Sequence, residues 1–158
     1  MASLGKRRRA FATPDLLGPL GERIAEIARD FEPEAERLAG PELGAVALAA
    51  SASLASGLPF LIVRKQAKGH GTGNRLEGLF EEGDLVYLVE DVVTSGGAAV
   101  EAVEALREAG LRVGTAVCVV DREEGGADAL ARVGVRLRPL FRASELLIGA
   151  KSAAKPHG

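Results

Sequence analysis

The stretch LVYLVEDVVTSGGAAVEAVEAL, Leu85–Leu106, decides the fold. It starts as a continuous apolar run, which suits a strand covered on both faces. It turns acidic at Glu90 and Asp91, then passes through Thr94, Ser95, Gly96 and Gly97. Glycines there permit positive φ and close approach to the backbone. GAAVEAVEALREAG then reads as a helix closed by Gly110. A buried strand feeding a helix is the unit from which parallel α/β sheets are built.

The same alternation continues on both sides. Upstream, TPDLLGPLGERIAEIARDF opens with Thr13 and Pro14, a capping hydroxyl followed by a proline where no donor is needed. Leu16, Leu20, Ile24, Ile27 and Phe31 recur at helical spacing and mark one buried face. A short strand ends near Gly40, a turn GPELGA follows, and a small-residue helix stops at Gly57. LPFLIVRK is a strand, and QAKGHGTGNRLEG, with Gly69, Gly71, Gly73 and Gly78, reads as a flexible loop. Downstream come a buried strand RVGTAVCVVD, a short helix GGADALARVG, a strand VRLRPLF and a final turn of helix in SELLIGA. The pattern predicts one α/β domain over residues 13–150, with a mainly parallel central sheet flanked by helices. Residues 1–12 read as a basic tail and residues 151–158 as a frayed one.

Bulk composition narrows the class. The 158 residues fit one domain, and 27% charged with 47% hydrophobic residues is ordinary for a soluble protein. A formal net charge of −2 offers no general attraction to nucleic acid or to an anionic membrane. No apolar stretch is long enough to span a bilayer, and the basic start lacks the apolar region of a secretory signal, so a cytoplasmic protein is expected. The one cysteine, Cys118, lies in an apolar run and reads as a buried inert thiol.

Ligands of a parallel sheet bind beyond the carboxyl ends of its strands. Four polar loops fall at that edge: PELG, RKQAKGHG, EDVVTSGG and DREEGG. In the third, the hydroxyls of Thr94 and Ser95, two glycines and the start of a helix make a phosphate cradle. It has neither the lysine of GxxxxGK(S/T) nor the spacing of GxGxxG. Ionised Glu90 and Asp91 only accept hydrogen bonds, so they suit adjacent hydroxyls rather than phosphate. A ribose 5-phosphate has that shape. The ordinary structural alternative is that the acids cap the turn. In RKQAKGHG, the cations Arg64, Lys65 and Lys68 would neutralise a polyanionic leaving group, and His70 would donate to it. Here the plainer alternative is a solvated charged loop.

VYLVEDVVTSGGA resembles the phosphoribosyl pyrophosphate (PRPP) motif of the type I phosphoribosyltransferases, and RKQAKGHG resembles the RKxxKxHG segment of orotate phosphoribosyltransferases. The resemblance covers residues 13 to 147. It implies that a base displaces pyrophosphate from ribose, with magnesium on the pyrophosphate. For orotate, the product would be orotidine 5′-monophosphate, in pyrimidine synthesis. Lys68, His70 and Asp91 would be catalytic. PRPP would meet Arg64, Lys65, Lys68 and His70, together with Glu90, Asp91, Val92, Val93, Thr94, Ser95, Gly96, Gly97 and Ala98. Orotate would meet Thr94 and Arg122, although Arg122 also suits a surface ion pair with Glu123 or Glu124. The backbone amides of Glu42 and Leu43 would serve the pyrophosphate. The family also implies a homodimer whose lysine-bearing loop reaches the neighbouring subunit's site. This chain departs from the family at the front: LGKRRRAFATP, a basic tail or the remnant of a hood, stands where members carry a longer orotate-holding segment. Two alternatives stay open, a transferase for a purine or another base and a non-catalytic PRPP or nucleotide sensor.

Overall fold

The computed structural model describes residues 13–66 and 75–153. In chain order its elements are α1 (Pro14–Phe31), β1 (Arg37–Pro41), α2 (Val46–Ser56), β2 (Phe60–Val63), β3 (Leu76–Glu77), β4 (Leu85–Val93), α3 (Gly97–Glu108), β5 (Arg112–Asp121), α4 (Gly126–Arg132), β6 (Arg136–Arg142) and α5 (Ala143–Ala153). They build a six-stranded sheet in the order β3-β2-β1-β4-β5-β6. Every neighbouring pair is parallel except β2 with β3. This is the mainly parallel α/β architecture expected from the alternation.

Strand alternation divides the core. Along β4, Val86 and Leu88 join Ala116 of β5, Val103 and Leu106 of α3 and Leu130 of α4. The residues between them, Tyr87 and Val89, join Val117, Ile24 and Ile27 of α1 and Leu48 of α2. Both faces of β4 are therefore covered, which is why its sequence is an unbroken apolar run. The order also places β1 and β4 side by side, with their chains departing to opposite faces beyond their carboxyl ends. A crevice opens at such a point.

Four local readings change. β4 does not stop at Glu90 but runs to Val93, because Glu90, Val92 and Val93 still pair with Cys118, Val120 and Asp121. The loop after β2 contains β3: Val63 pairs with Leu76 and Ile62 with Glu77. The Thr13 carbonyl, not its hydroxyl, receives the amides of Leu16 and Leu17 at the start of α1. The last helix is longer than one turn and runs from Ala143 through Ala153. Its start is held by Glu123, whose carboxylate accepts from the Ser144 amide (2.9 Å) and hydroxyl (3.1 Å).

At the opposite end of the sheet, Asp84 ties three segments together. Its carboxylate accepts from the Glu81 amide at 2.8 Å and from the Arg37 guanidinium of β1, while its carbonyl accepts from the Arg112 amide of β5. The Glu81 amide, then Arg37, hold the Asp84 carboxyl below its ordinary pKa. A depressed folded-state pKa stabilises the fold above the unfolded value and loses that contribution as pH falls through the folded one. Asp84→Asn will therefore be less stable than the parent at pH 7. The gap will close as pH drops below about 4. Urea unfolding of both proteins across that range checks this, and a gap independent of pH would refute it.

Candidate active site

A cavity of about 240 Å³ lies where the crevice was expected. Five segments line it: the loop Pro41–Ala45 after β1, the end of β2 at Val63, Arg64 and Lys65, Arg75 before β3, the end of β4 at Glu90, Asp91 and Val92, and Ala98, Glu101 and Ala102 of α3. Residues more than twenty apart in sequence meet because each follows, or lies at, the carboxyl end of a parallel strand or the helix fed by it.

Glu90 and Asp91 are both largely buried, each 7% exposed. As consecutive strand residues they leave opposite faces of the sheet. The Asp91 carboxylate lies on the α2 side, so close to Gly44 that a Cβ there would stand 2.3 Å from its Oδ2. Its Oδ1 accepts from the Val92 amide at 2.8 Å. Glu90, one residue earlier, is on the side of α3. The acids thus reach the same cavity from two directions and present acceptors to neighbouring hydroxyls.

The turn after β4 is built for close packing. Gly96 has φ of +89°, and a Cβ there would meet Ala129 and the Gly126 backbone at 3.0 Å. The first amides of α3 have no partner within the helix, and the cap residue Gly96 has no side chain to offer them. They present a positive end to an anion. Thr94, Ser95, Gly96 and Gly97 form this turn beside the cavity rather than lining it, and Val93 is buried behind it.

The cations are partly committed. The Arg64 guanidinium pairs with Glu77 at 2.9 Å, and its amide donates to the Arg75 carbonyl at 2.7 Å. Arg75 returns a bond from Nε to the Arg64 carbonyl at 3.0 Å. Lys65 is exposed, with its backbone amide bound to the Glu42 carboxylate at 2.6 Å. Lys68 and His70 lie outside the described residues. Arg122 lies outside the cavity lining; its amide donates to the Val93 carbonyl at 3.0 Å, and its exposed guanidinium pairs with Glu124 at 3.1 Å. Cys118 is fully buried, and burial, with the Asp121 and Glu90 carboxylates nearby, pushes its thiol pKa up. That is the environment of an unreactive cysteine.

Arg75, Glu101 and Gly44 are among the lining residues that the sequence does not single out. Arg75 sits in a stretch that reads as a flexible loop, and its pairing with Arg64 brings it in. Glu101 lies in the helix that the sequence predicts after the glycines, one helical turn beyond Gly97. Gly44 carried no signal of its approach to Asp91.

No protein-family model matches the chain. Among known proteins, it is 49% identical over 134 residues to orotate phosphoribosyltransferase from Methanocella arvoryzae, covering 85% of this chain and 75% of the relative. Its structure is similar to that of orotate phosphoribosyltransferase from Aeropyrum pernix, with TM-score 0.82 and 32% identity over 92% of this chain and 81% of the other. It is also similar to orotate phosphoribosyltransferase from Mycobacterium tuberculosis H37Rv in complex with PRPP, with TM-score 0.77 and 31% identity over 88% of this chain and 80% of the other.

Proposed function

This chain belongs to the orotate phosphoribosyltransferase family, and we propose that it transfers the ribosyl phosphate of PRPP to orotate, releasing pyrophosphate and orotidine 5′-monophosphate in pyrimidine synthesis. The observation that carries the site assignment is the cavity that joins two buried carboxylates, the cations Arg64 and Lys65 and the start of α3. Ribose hydroxyls donate to Glu90 and Asp91. The 5′-phosphate takes the turn Thr94–Ala98 and the first amides of α3. Pyrophosphate lies toward the Leu43 amide and toward Arg64, Lys65, Lys68 and His70; the Glu42 amide, expected to join them, is instead bound to the Val63 carbonyl at 2.9 Å.

In this reading the C1–oxygen bond to pyrophosphate breaks, the bond from C1 to a ring nitrogen of orotate forms, and the proton of that nitrogen passes to the departing pyrophosphate. Positive charge gathers on the sugar as negative charge gathers on the leaving group. Cations placed at the leaving group act mainly in the transition state. Among the described residues no group of three or more His, Cys, Asp or Glu side chains would hold a metal ion. Magnesium is expected here as an ion carried on the pyrophosphate oxygens of the substrate. Arg122 and Thr94 serve orotate. Its carboxylate would take the place of Glu124 on Arg122, an exposed pair that contributes only about 0–1 kcal/mol and so gives way readily. A cytoplasmic location belongs to the same proposal, because PRPP is too highly charged to cross a bilayer unaided. No helix among the described residues is long and apolar enough to cross a membrane.

Purified protein with magnesium, PRPP and orotate will consume orotate and release pyrophosphate in equal amounts. PRPP binding without loss of orotate would move the assignment to another base or to a sensor. The homodimer with shared sites is tested separately. Lys68→Ala will lower kcat more than PRPP affinity. Mixed with Asp91→Asn protein under conditions of subunit exchange, it will regain part of the activity. No recovery in an exchanged mixture would refute the shared site.

A further inference from the structure

We propose that the Glu42 carboxylate is a positioning residue that replaces a missing rung of the sheet and so holds the loop 42–45 against the cavity. This rests on the assignment of that loop to pyrophosphate. The pairing of β1 with β2 runs through Gly40 with Ile62 and Pro41 with Val63. It continues one step further: the Glu42 amide donates to the Val63 carbonyl at 2.9 Å. In a parallel ladder the next bond would run from the Lys65 amide to the Glu42 carbonyl. Here the Lys65 amide donates instead to Oε1 of the Glu42 side chain, at 2.6 Å.

The substitution has a consequence for the backbone. With its side chain serving as acceptor, Glu42 is free to turn its own carbonyl away, and the chain leaves the sheet at Leu43. The following residues then run along the cavity to the start of α2, with Gly44 against the Asp91 carboxylate. A bare acid on the rim of an anion site would only repel the ligand. Glu42 has its carboxylate bound to the Lys65 amide just past the end of β2, where a charge-assisted bond outweighs a neutral one.

This distinguishes geometry from charge by the sign of the effect. Glu42→Ala removes both the bond and the charge. Glu42→Asp keeps the charge but is one methylene too short. Glu42→Gln keeps an oxygen that accepts from Lys65 and loses the charge. The Ala and Asp variants will raise the dissociation constant for magnesium–PRPP about tenfold, as expected when a bond to a charged acceptor is lost. The Gln variant will bind as well as the parent or more tightly. In the ligand-free protein, amide hydrogen exchange at Lys65 will accelerate in the Ala and Asp variants and not in the Gln variant. PRPP binding by the Ala and Asp variants equal to or tighter than the parent's would overturn the proposal, and so would unchanged exchange at Lys65. If the Ala variant does not fold, the Asp variant carries the test. A parent that fails to bind PRPP, yet shows the exchange pattern, would leave the clamp standing and remove the assignment of the loop to pyrophosphate.

Discussion

Replacing Asp91 with asparagine will lower kcat/KM for PRPP by roughly 10- to 150-fold and leave KM for orotate nearly unchanged. The range follows from a hydrogen bond to a charged group contributing about 1.5–3 kcal/mol, with 1.4 kcal/mol for each factor of ten. Asp91 is 7% exposed, so solvent screens its charge weakly. Asparagine is nearly isosteric, and its remaining oxygen still accepts from the Val92 amide, the bond seen at 2.8 Å. The fold should therefore survive, with an unchanged circular dichroism spectrum. What asparagine cannot do is offer two acceptors to a pair of ribose hydroxyls, or balance positive charge developing on the sugar. Steady-state kinetics with each substrate varied in turn decides the matter. If PRPP parameters matched those of the parent, the ribose would have to bind elsewhere.

The strand, turn and helix around Asp91 were legible because their physics is local. An unbroken apolar run signals a strand covered on both faces, and Val86 and Tyr87 indeed point into two different cores. Gly96 was legible as a turn residue because its φ of +89° admits little else. β3 was hidden for the opposite reason. It is two residues long, and Leu76 becomes a strand residue only through its pairing with Val63 across the intervening segment. α5 reads as a single turn within SELLIGA, whereas it runs from Ala143 to Ala153 with Gly149 inside it. Its start depends on a carboxylate, Glu123, twenty-one positions before Ser144. The site divides the same way. Glu90 and Asp91 announced themselves as adjacent acids before a helix. Their approach to the cavity from opposite faces, the exchange of bonds between Arg64 and Arg75, and the role of the Glu42 side chain all require the strands to be in register first.

Gly44→Ala should cost as much activity as Asp91→Asn, through the same carboxylate. A Cβ at residue 44 would stand 2.3 Å from Oδ2 and 2.9 Å from Cγ of Asp91, closer than such atoms can remain. One of them must move. The backbone of residues 42–45 is held at its start by the bonds of Glu42 to Val63 of β2 and to Lys65 just beyond it, whereas the Asp91 side chain turns about two torsions. The carboxylate therefore swings away, at a stability cost on the order of 1 kcal/mol, within the usual range for overpacking. Its new position no longer meets the ribose hydroxyls, so kcat/KM for PRPP falls roughly 10- to 150-fold, as for loss of the charged acceptor itself. The double variant separates this account from a general loosening of the loop. If both substitutions act through one carboxylate, Gly44→Ala adds little in an Asp91→Asn background, and the coupling free energy is about as large as either single effect. Losses that instead multiplied would mean that Gly44 serves the site by a route independent of Asp91.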